Sequence, residues 1–406
     1  MVIGLFDDKI ELCNGISTRA TIVNGRIWSV LGNNITRYSD DFGDTFVDIP
    51  NDLPFGTTDY YVHMTSTGAM IVSRGNGIYR AVAPYTTFTQ VTSFSTTGSI
   101  LREWAFTEDN DNVLYIAEYG NYVDTVNGGY VNIMYWYKSL DDGLTWTRYT
   151  NLYDVDNKHI HMLQVNPFTN DLYVTTGDGL KLMFKSTDKG ESWQEIIPDE
   201  YPSKTSENIE YGGFTGINFF STGEIIYGTD WQPRDPETGK YWNWFVRSMG
   251  DDTSTFVYEK IEHEYYGMCS SLVNEQYGSR AWMSLKDEFM ESDVKPVMMY
   301  TEDKGVNWNP LVELPADDVY NAGRIINPPS DFSTTTNPYI FWEVTGYGVV
   351  RFPKSLSPIP TDPPITTNGT VKNVSMFMNV GGVIKEVDLY NKNSNVIQSL
   401  NNTAKL

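Results

Sequence analysis

One octapeptide pattern recurs four times. It reads Ser39-x-Asp41-x-Gly43-x-Thr45-Phe46, Ser139-x-Asp141-x-Gly143-x-Thr145-Trp146, Ser186-x-Asp188-x-Gly190-x-Ser192-Trp193 and Thr301-x-Asp303-x-Gly305-x-Asn307-Trp308. Each copy follows a short apolar run and leads into another, as a hairpin requires. An Asp side chain can accept hydrogen bonds from backbone N–H groups two residues on, and Gly supplies a left-handed residue at the tip. The four aspartates stand 100, 47 and 115 residues apart. With one unit per 47 residues, the longer gaps each hide a unit whose turn has eroded, and self-similarity at such a period marks a repeat architecture.

One hidden unit runs through Met70–Arg74 and Gly77–Arg80, with Ala83-Pro84-Tyr85-Thr86 in place of the octapeptide. The other holds Trp244–Ser248 followed by Gly250-Asp251-Asp252-Thr253. A further unit is read at Tyr339–Trp342, a turn at Gly346–Gly348, and Val349–Phe352. The octapeptides resemble the Asp box, or bacterial neuraminidase repeat, of sialidases and sialidase-like β-propellers. The fold expected is therefore all-β: a β-propeller of seven four-stranded blades, with six the alternative because sialidases themselves usually have six. Seven units between about residues 17 and 352 take roughly 48 residues each, ordinary for such repeats.

Pro353, Pro358, Pro360, Pro363 and Pro364 forbid a fourth strand after Phe352, because proline lacks the ladder donor. The missing strand is expected from the N-terminus, either Val2–Phe6 or Lys9–Leu12, which would also hide a sheet edge. The organisation expected is a propeller over 1–355, a proline-rich linker over 356–367 and a small β hairpin over 368–406. About 40 residues build no self-sufficient core, so this tail should pack on the propeller or on another chain. Its strand, Gly-Gly turn and Lys-Glu-Val strand are similar to short modules of phage structural proteins.

The chain carries 29 basic and 52 acidic residues, a net charge of −23, which repels phosphate backbones and argues against nucleic-acid partners. No apolar stretch approaches the roughly 20 residues of a membrane helix. Met1–Asp8 lacks a basic start and a long apolar core, so no signal peptide is expected. Cys13 and Cys269 are too few for a disulfide framework and read as buried thiols.

The resemblance implies that Asp41, Asp141, Asp188 and Asp303 are turn clamps on the outer turns between third and fourth strands, away from the functional face. That face is built by the turns between second and third strands. Read in order, these turns offer Glu118, Tyr119, Asp178, Asp230, Trp231 and Asp287 as candidate ligand-binding residues, along with Arg74, Lys286 and Glu343. Aromatic faces stack on sugar C–H surfaces while acids and amides take hydroxyls, so the expected ligand is a glycan. Trp242 and Trp244 share a strand face and fit a core role equally well. His159 and His161 point to one strand face, where a hydrogen-bonded structural pair outweighs a metal site for want of a third ligand. No metal, cofactor or catalytic residue is assigned.

Sialidase chemistry needs three arginines on the substrate carboxylate, a Tyr nucleophile activated by Glu, and an acid/base Asp. The Phe-Arg-Ile-Pro signature of that family is missing: Arg19 and Arg26 do not match it, and Arg280 and Arg324 have no recognisable partner set. The resemblance covers some 350 residues of scaffold and stops before the active site. The function expected is a non-enzymatic virion component, in a phage tail or head, that binds host glycan or assembles the particle through its C-terminal module. The alternative is a glycoside hydrolase or lyase using two facing carboxylates among Glu118, Asp178, Asp230 and Asp287, whose spacing would set the stereochemistry.

Overall fold

The computed structural model describes residues 10–355 apart from scattered single positions and short stretches, chiefly 55–60, 96–98, 124–129, 153–158, 178–180, 198–212, 231–236, 264–267, 287–295, 315–320 and 329–336. It also describes 375–380 and 383–388. Seven four-stranded antiparallel sheets follow one another along the chain and form a seven-bladed propeller. In order these are β2–β5 (Thr21–Pro50), β6–β9 (Tyr61–Ser93), β10, β11, β14 and β15 (Phe106–Tyr149), β16–β19 (His159–Glu195), β20–β23 (Gly213–His263), β24–β27 (Met268–Glu313) and β28–β30 (Asn321–Pro353).

The seventh sheet takes its fourth strand from β1 (Glu11–Leu12). Glu11 pairs with Arg351 and Leu12 with Val350, so closure comes from the second of the two expected N-terminal segments. Val2–Phe6 lies outside the described residues. The Arg351 guanidinium locks the seam: it donates to Glu11 Oε2 at 2.6 Å, to Asp44 Oδ1 at 2.7 Å and to the Phe42 carbonyl at 2.8 Å.

Burial follows position within a blade. Second strands are pressed between neighbouring blades on both faces, and β11 (Leu114–Ala117) and β17 (Leu172–Gly177) are buried at every residue. Such strands read as continuous apolar runs rather than alternating ones. Fourth strands form the outer rim, and β15 (Thr147–Tyr149) and β19 (Gln194–Glu195) are largely exposed.

The four octapeptides share one geometry at the turn between third and fourth strands. In the third blade Ser139 Oγ donates to Asp141 Oδ1 at 2.9 Å and accepts from Gly143 N at 2.8 Å. Thr145 N and Oγ1 then reach Asp141 Oδ1 and Oδ2 at 2.8 and 2.6 Å. Asp41, Asp188 and Asp303 make the same set. These bonds hold Asp41 and Asp188 down at about 2, the Thr45 and Ser192 hydroxyls contributing most.

The same turns fasten each blade to the one before it. Asp142 reaches Arg80 (2.6 Å), Lys189 reaches Asp111 (2.6 Å) and Lys304 reaches Glu224 (2.7 Å). The eroded turns do likewise: the Tyr85 carbonyl accepts from Thr36 Oγ1 at 3.2 Å, and Asp251 meets Lys185 at 3.0 Å. Arg280 donates to the Lys354 carbonyl at 3.0 Å and Arg351 meets Asp44, so all seven interfaces are clasped on this face. Phe42, Tyr85, Asp142, Lys189 and Lys304 all hold φ between 57° and 64°, a conformation that aims the turn backwards at its neighbour.

Beyond residue 357 the chain forms a second compact unit, 358–406. Within it β31 (Ser375–Val380) pairs with β32 (Val383–Asp388) as an antiparallel hairpin.

Candidate functional site

Because every first strand runs toward the clasped face, the residues that enter first strands and those that end second strands gather on the opposite face, around the axis. There the structure brings together side chains that are far apart in sequence. Tyr61, the first residue of β6, is the hub. Arg102 Nη1 donates to its hydroxyl at 3.2 Å, the Arg19 guanidinium lies 4.6 Å from its ring centroid, and that of Arg324 lies 5.9 Å away. Arg324 is 7% exposed, stands in the inner strand β28, and also donates to the Ala20 carbonyl.

Arg102 in turn carries the site into the third blade. Its guanidinium lies 5.4 Å from the Trp104 ring and 5.0 Å from that of Tyr119. Cation and aromatic faces attract electrostatically, which orients both partners. Tyr119 stands 4.3 Å from the His159 ring, and His159 lies 5.0 Å from His161. His161 Nε2 approaches Asp230 Oδ2 of the fifth blade at 3.6 Å. Gly177 makes room for that imidazole, since a Cβ there would fall 1.9 Å from His161 Cε1. An arc of cationic, aromatic and acidic groups thus runs from the first blade to the fifth.

Tyr119 and Asp230 take part in this arc. Asp178, Trp231 and Asp287 lie outside the described residues. Glu118 requires a correction, because it is not presented to solvent. It is fully buried, accepting from Ser95 N (3.1 Å), Ser95 Oγ (2.7 Å) and Tyr137 Oη (2.9 Å), so it staples the second blade to the third. That burial removes it from any facing pair of carboxylates. Trp244 is half-buried against the core of the fifth blade. Among the described residues no group of three or more His, Cys, Asp or Glu could hold a metal ion. Cys13 and Cys269 are buried free thiols, pushed up to about 11 and about 12 by that burial.

In the sequence Arg19 was set aside because it does not match the sialidase signature and Arg324 for want of a partner set, while Tyr61, Arg102 and Trp104 were not considered. Arg19, Tyr61, Arg102 and Trp104 sit at the entries of successive blades and Arg324 within an inner strand, rather than in the enlarged turns; the packing of adjacent blades makes the first four neighbours and ring closure adds Arg324. The one available signal was arginine itself, scarce in so acidic a chain yet present before the first and third blades.

Beneath the arc lies the propeller's central channel, about 840 Å³ in volume and walled by first strands of all seven blades. Pockets of roughly 300–1,000 Å³ are the usual size for small ligands.

No protein-family model and no curated protein matches the chain. Solved structures do. The WD40 repeats of RRP9 give a TM-score of 0.54 at 10% identity, covering 86% of this chain and 98% of that one. YCF48 from Cyanidioschyzon merolae gives 0.51 at 10% identity, over 85% and 98% of the two chains. PorZ of Porphyromonas gingivalis gives 0.52 at 11% identity, over 82% and 46%. At such identities the likeness speaks for the propeller fold alone.

Proposed function

We propose that this propeller is a binding protein of a virus or phage particle, and that it recognises a host-surface glycan at the channel mouth. The observation that carries the reading is the convergence of Arg19, Arg102 and Arg324 on Tyr61, with Trp104 and Tyr119 alongside, in a chain of net charge −23. Flat aromatic faces and forked donors are what sugar rings and their acidic substituents require. Three guanidinium groups repel one another, so their gathering in an acidic protein favours an anionic ligand. Asp230, at the end of the second strand of the fifth blade, would extend contact outward from the mouth, and Trp231 follows it in sequence. The particle context draws on the proline-rich linker and on a second unit of 49 residues, too small to bury a core of its own.

The test is a glycan array probed with the full chain and with Trp231→Ala and Arg19→Gln, alongside an assay for release of reducing ends. Binding to acidic glycans that falls about tenfold or more in either variant at unchanged melting temperature is expected, with no release of sugar. Equal binding by both variants, or turnover of the bound glycan, would overturn the reading.

A further inference from the structure

Eight large apolar side chains are exposed among the described residues, and six stand at or beside turns of the clasped face: Val82, Leu140, Leu144, Met249, Tyr277 and Val306. An exposed apolar group here and there is ordinary, but a gathering on one face calls for a cause. Tyr277 concentrates the question. It is 74% exposed, at the turn between β24 (Met268–Asn274) and β25 (Ala281–Lys286).

That ring stands on a prepared base. It meets Phe168 of the fourth blade edge-on, 5.6 Å between centroids and 84° between planes, and Phe168 is half-buried against the core shared by the fourth and fifth blades. The neighbouring Gln276 carbonyl accepts from Ser221 N at 2.8 Å, so the sixth-blade turn is fastened over the fifth. Met249 adjoins the same fifth-blade turn: Gly250 N donates to the Gly223 carbonyl at 2.8 Å, and a Cβ on Gly223 would meet Met249 Sδ at 3.4 Å. Phe168, Tyr277 and Met249 thus form an apolar ridge across three blades, around a turn whose Ser221, Thr222 and Gly223 are themselves exposed.

The ridge is bordered by acid. Asp251 and Asp252, both exposed, follow Met249 in the chain, and Asp111, 62% exposed, accepts from Asn170 Nδ2 in the turn of Phe168 at 3.4 Å. The lysines of this sector are each held by a carboxylate: Lys185 by Asp171 and Asp251 at 3.0 Å, Lys189 by Asp111 at 2.6 Å and Lys304 by Glu224 at 2.7 Å. The balance is therefore negative, which disfavours phosphate backbones and anionic lipid headgroups. A projecting ridge also encloses no small ligand, since such sites are concave. Tyr and Met at the centre with charge at the rim is the composition of a protein–protein interface.

We propose that this ridge docks a second protein whose surface is basic, with lysine or arginine around an apolar seat for Tyr277 and Met249. The ridge lies on the face opposite the channel mouth, so a ligand there and a protein here can be held together. The assignment stands independently of the glycan reading.

Fluorescence anisotropy on the full chain at physiological ionic strength tests this with a labelled amphipathic helix, its leucine face flanked by lysines. Two controls replace every leucine by serine or every lysine by glutamate. One site for the lysine–leucine peptide is expected, with both controls about tenfold weaker or more. Tyr277→Ser with Met249→Ser should weaken it by a similar factor at unchanged melting temperature. Asp251→Asn with Asp252→Asn should weaken it and flatten its salt dependence. Equal binding of the lysine–serine peptide would reduce the face to its charge, and equal binding by the Tyr277, Met249 variant would put the apolar contact elsewhere; either overturns the proposal. Two other results would reassign the ridge and overturn it as well. Sedimentation of the chain alone as a dimer that Tyr277→Ser dissolves would give the ridge to a second copy. Binding to phosphatidylserine vesicles that the same variant abolishes would give it to a membrane.

Discussion

The repeated turns are assigned here to joining blades, and a pair of glycine substitutions isolates that role. Gly190 holds φ +85°, and a Cβ built on it would fall 2.2 Å from Cη2 of Trp136 in the preceding blade. Trp136 cannot move cheaply. It is fully buried, stacks on Tyr149 at 4.3 Å, meets Trp193 edge-on at 5.8 Å, and donates from Nε1 to Asn151 Oδ1 at 2.9 Å. Gly68 is the control, with φ +90° and nothing within 4 Å of the added carbon. Gly68→Ala therefore meets only the left-handed backbone penalty of about 1–2 kcal/mol. Gly190→Ala meets the same penalty and, in addition, about 1–3 kcal/mol for forcing a carbon into a packed interface. Urea unfolding of the full chain, followed by tryptophan fluorescence, should place Gly190→Ala below Gly68→Ala by that second amount. Equal losses within about 0.5 kcal/mol, the scatter of surface substitutions, would refute the claim that the turn is seated on its neighbour.

Three further outcomes follow from the same geometry. Asp141→Ala removes the acceptor of Thr145 N, Thr145 Oγ1 and Ser139 Oγ, and should cost about 1–3 kcal/mol in urea unfolding while glycan binding per folded molecule stays unchanged. Asp41 and Asp188 are held below their usual value, so their stabilisation is fully present above about pH 4 and lost as pH falls toward 2. Melting temperatures across that window should fall less steeply in the Asp41→Asn, Asp188→Asn double variant than in the native chain. His63 is depressed as well, so its contribution is complete above about pH 6.5 and lost progressively toward pH 3. His63→Phe should flatten the stability profile between those limits, as read by melts in non-binding buffers.

The architecture was legible because its signal is local. An Asp that closes its own turn and a Gly with positive φ can be recognised within eight residues, and their spacing counts the blades. The two eroded turns show what the pattern could still convey: Tyr85 keeps the backward-aiming conformation and Asp251 the blade-to-blade contact, though neither keeps the octapeptide. The site was far less legible. Arg19 and Arg324, 305 positions apart in sequence, converge on the Tyr61 ring, the first through the packing of adjacent blades and the second through ring closure rather than through any motif. Glu118 was misread for a related reason. A carboxylate at a strand end looks the same in sequence whether it faces solvent or, as here, accepts from Ser95 and Tyr137 in the seam between two blades.

The seam at β1 sets a clock on biosynthesis. Glu11 has no ladder partner until Arg351 has left the ribosome, because the pairing spans 340 positions. At the usual elongation rates of about 5–20 residues per second, the first strand waits roughly 17–70 s for its mate. Through that interval the nascent ring is an open arc with an unpaired edge at each end. Six blades can settle as they emerge, but the last becomes four-stranded only when the oldest described strand of the chain returns to meet the last-made strand of the propeller.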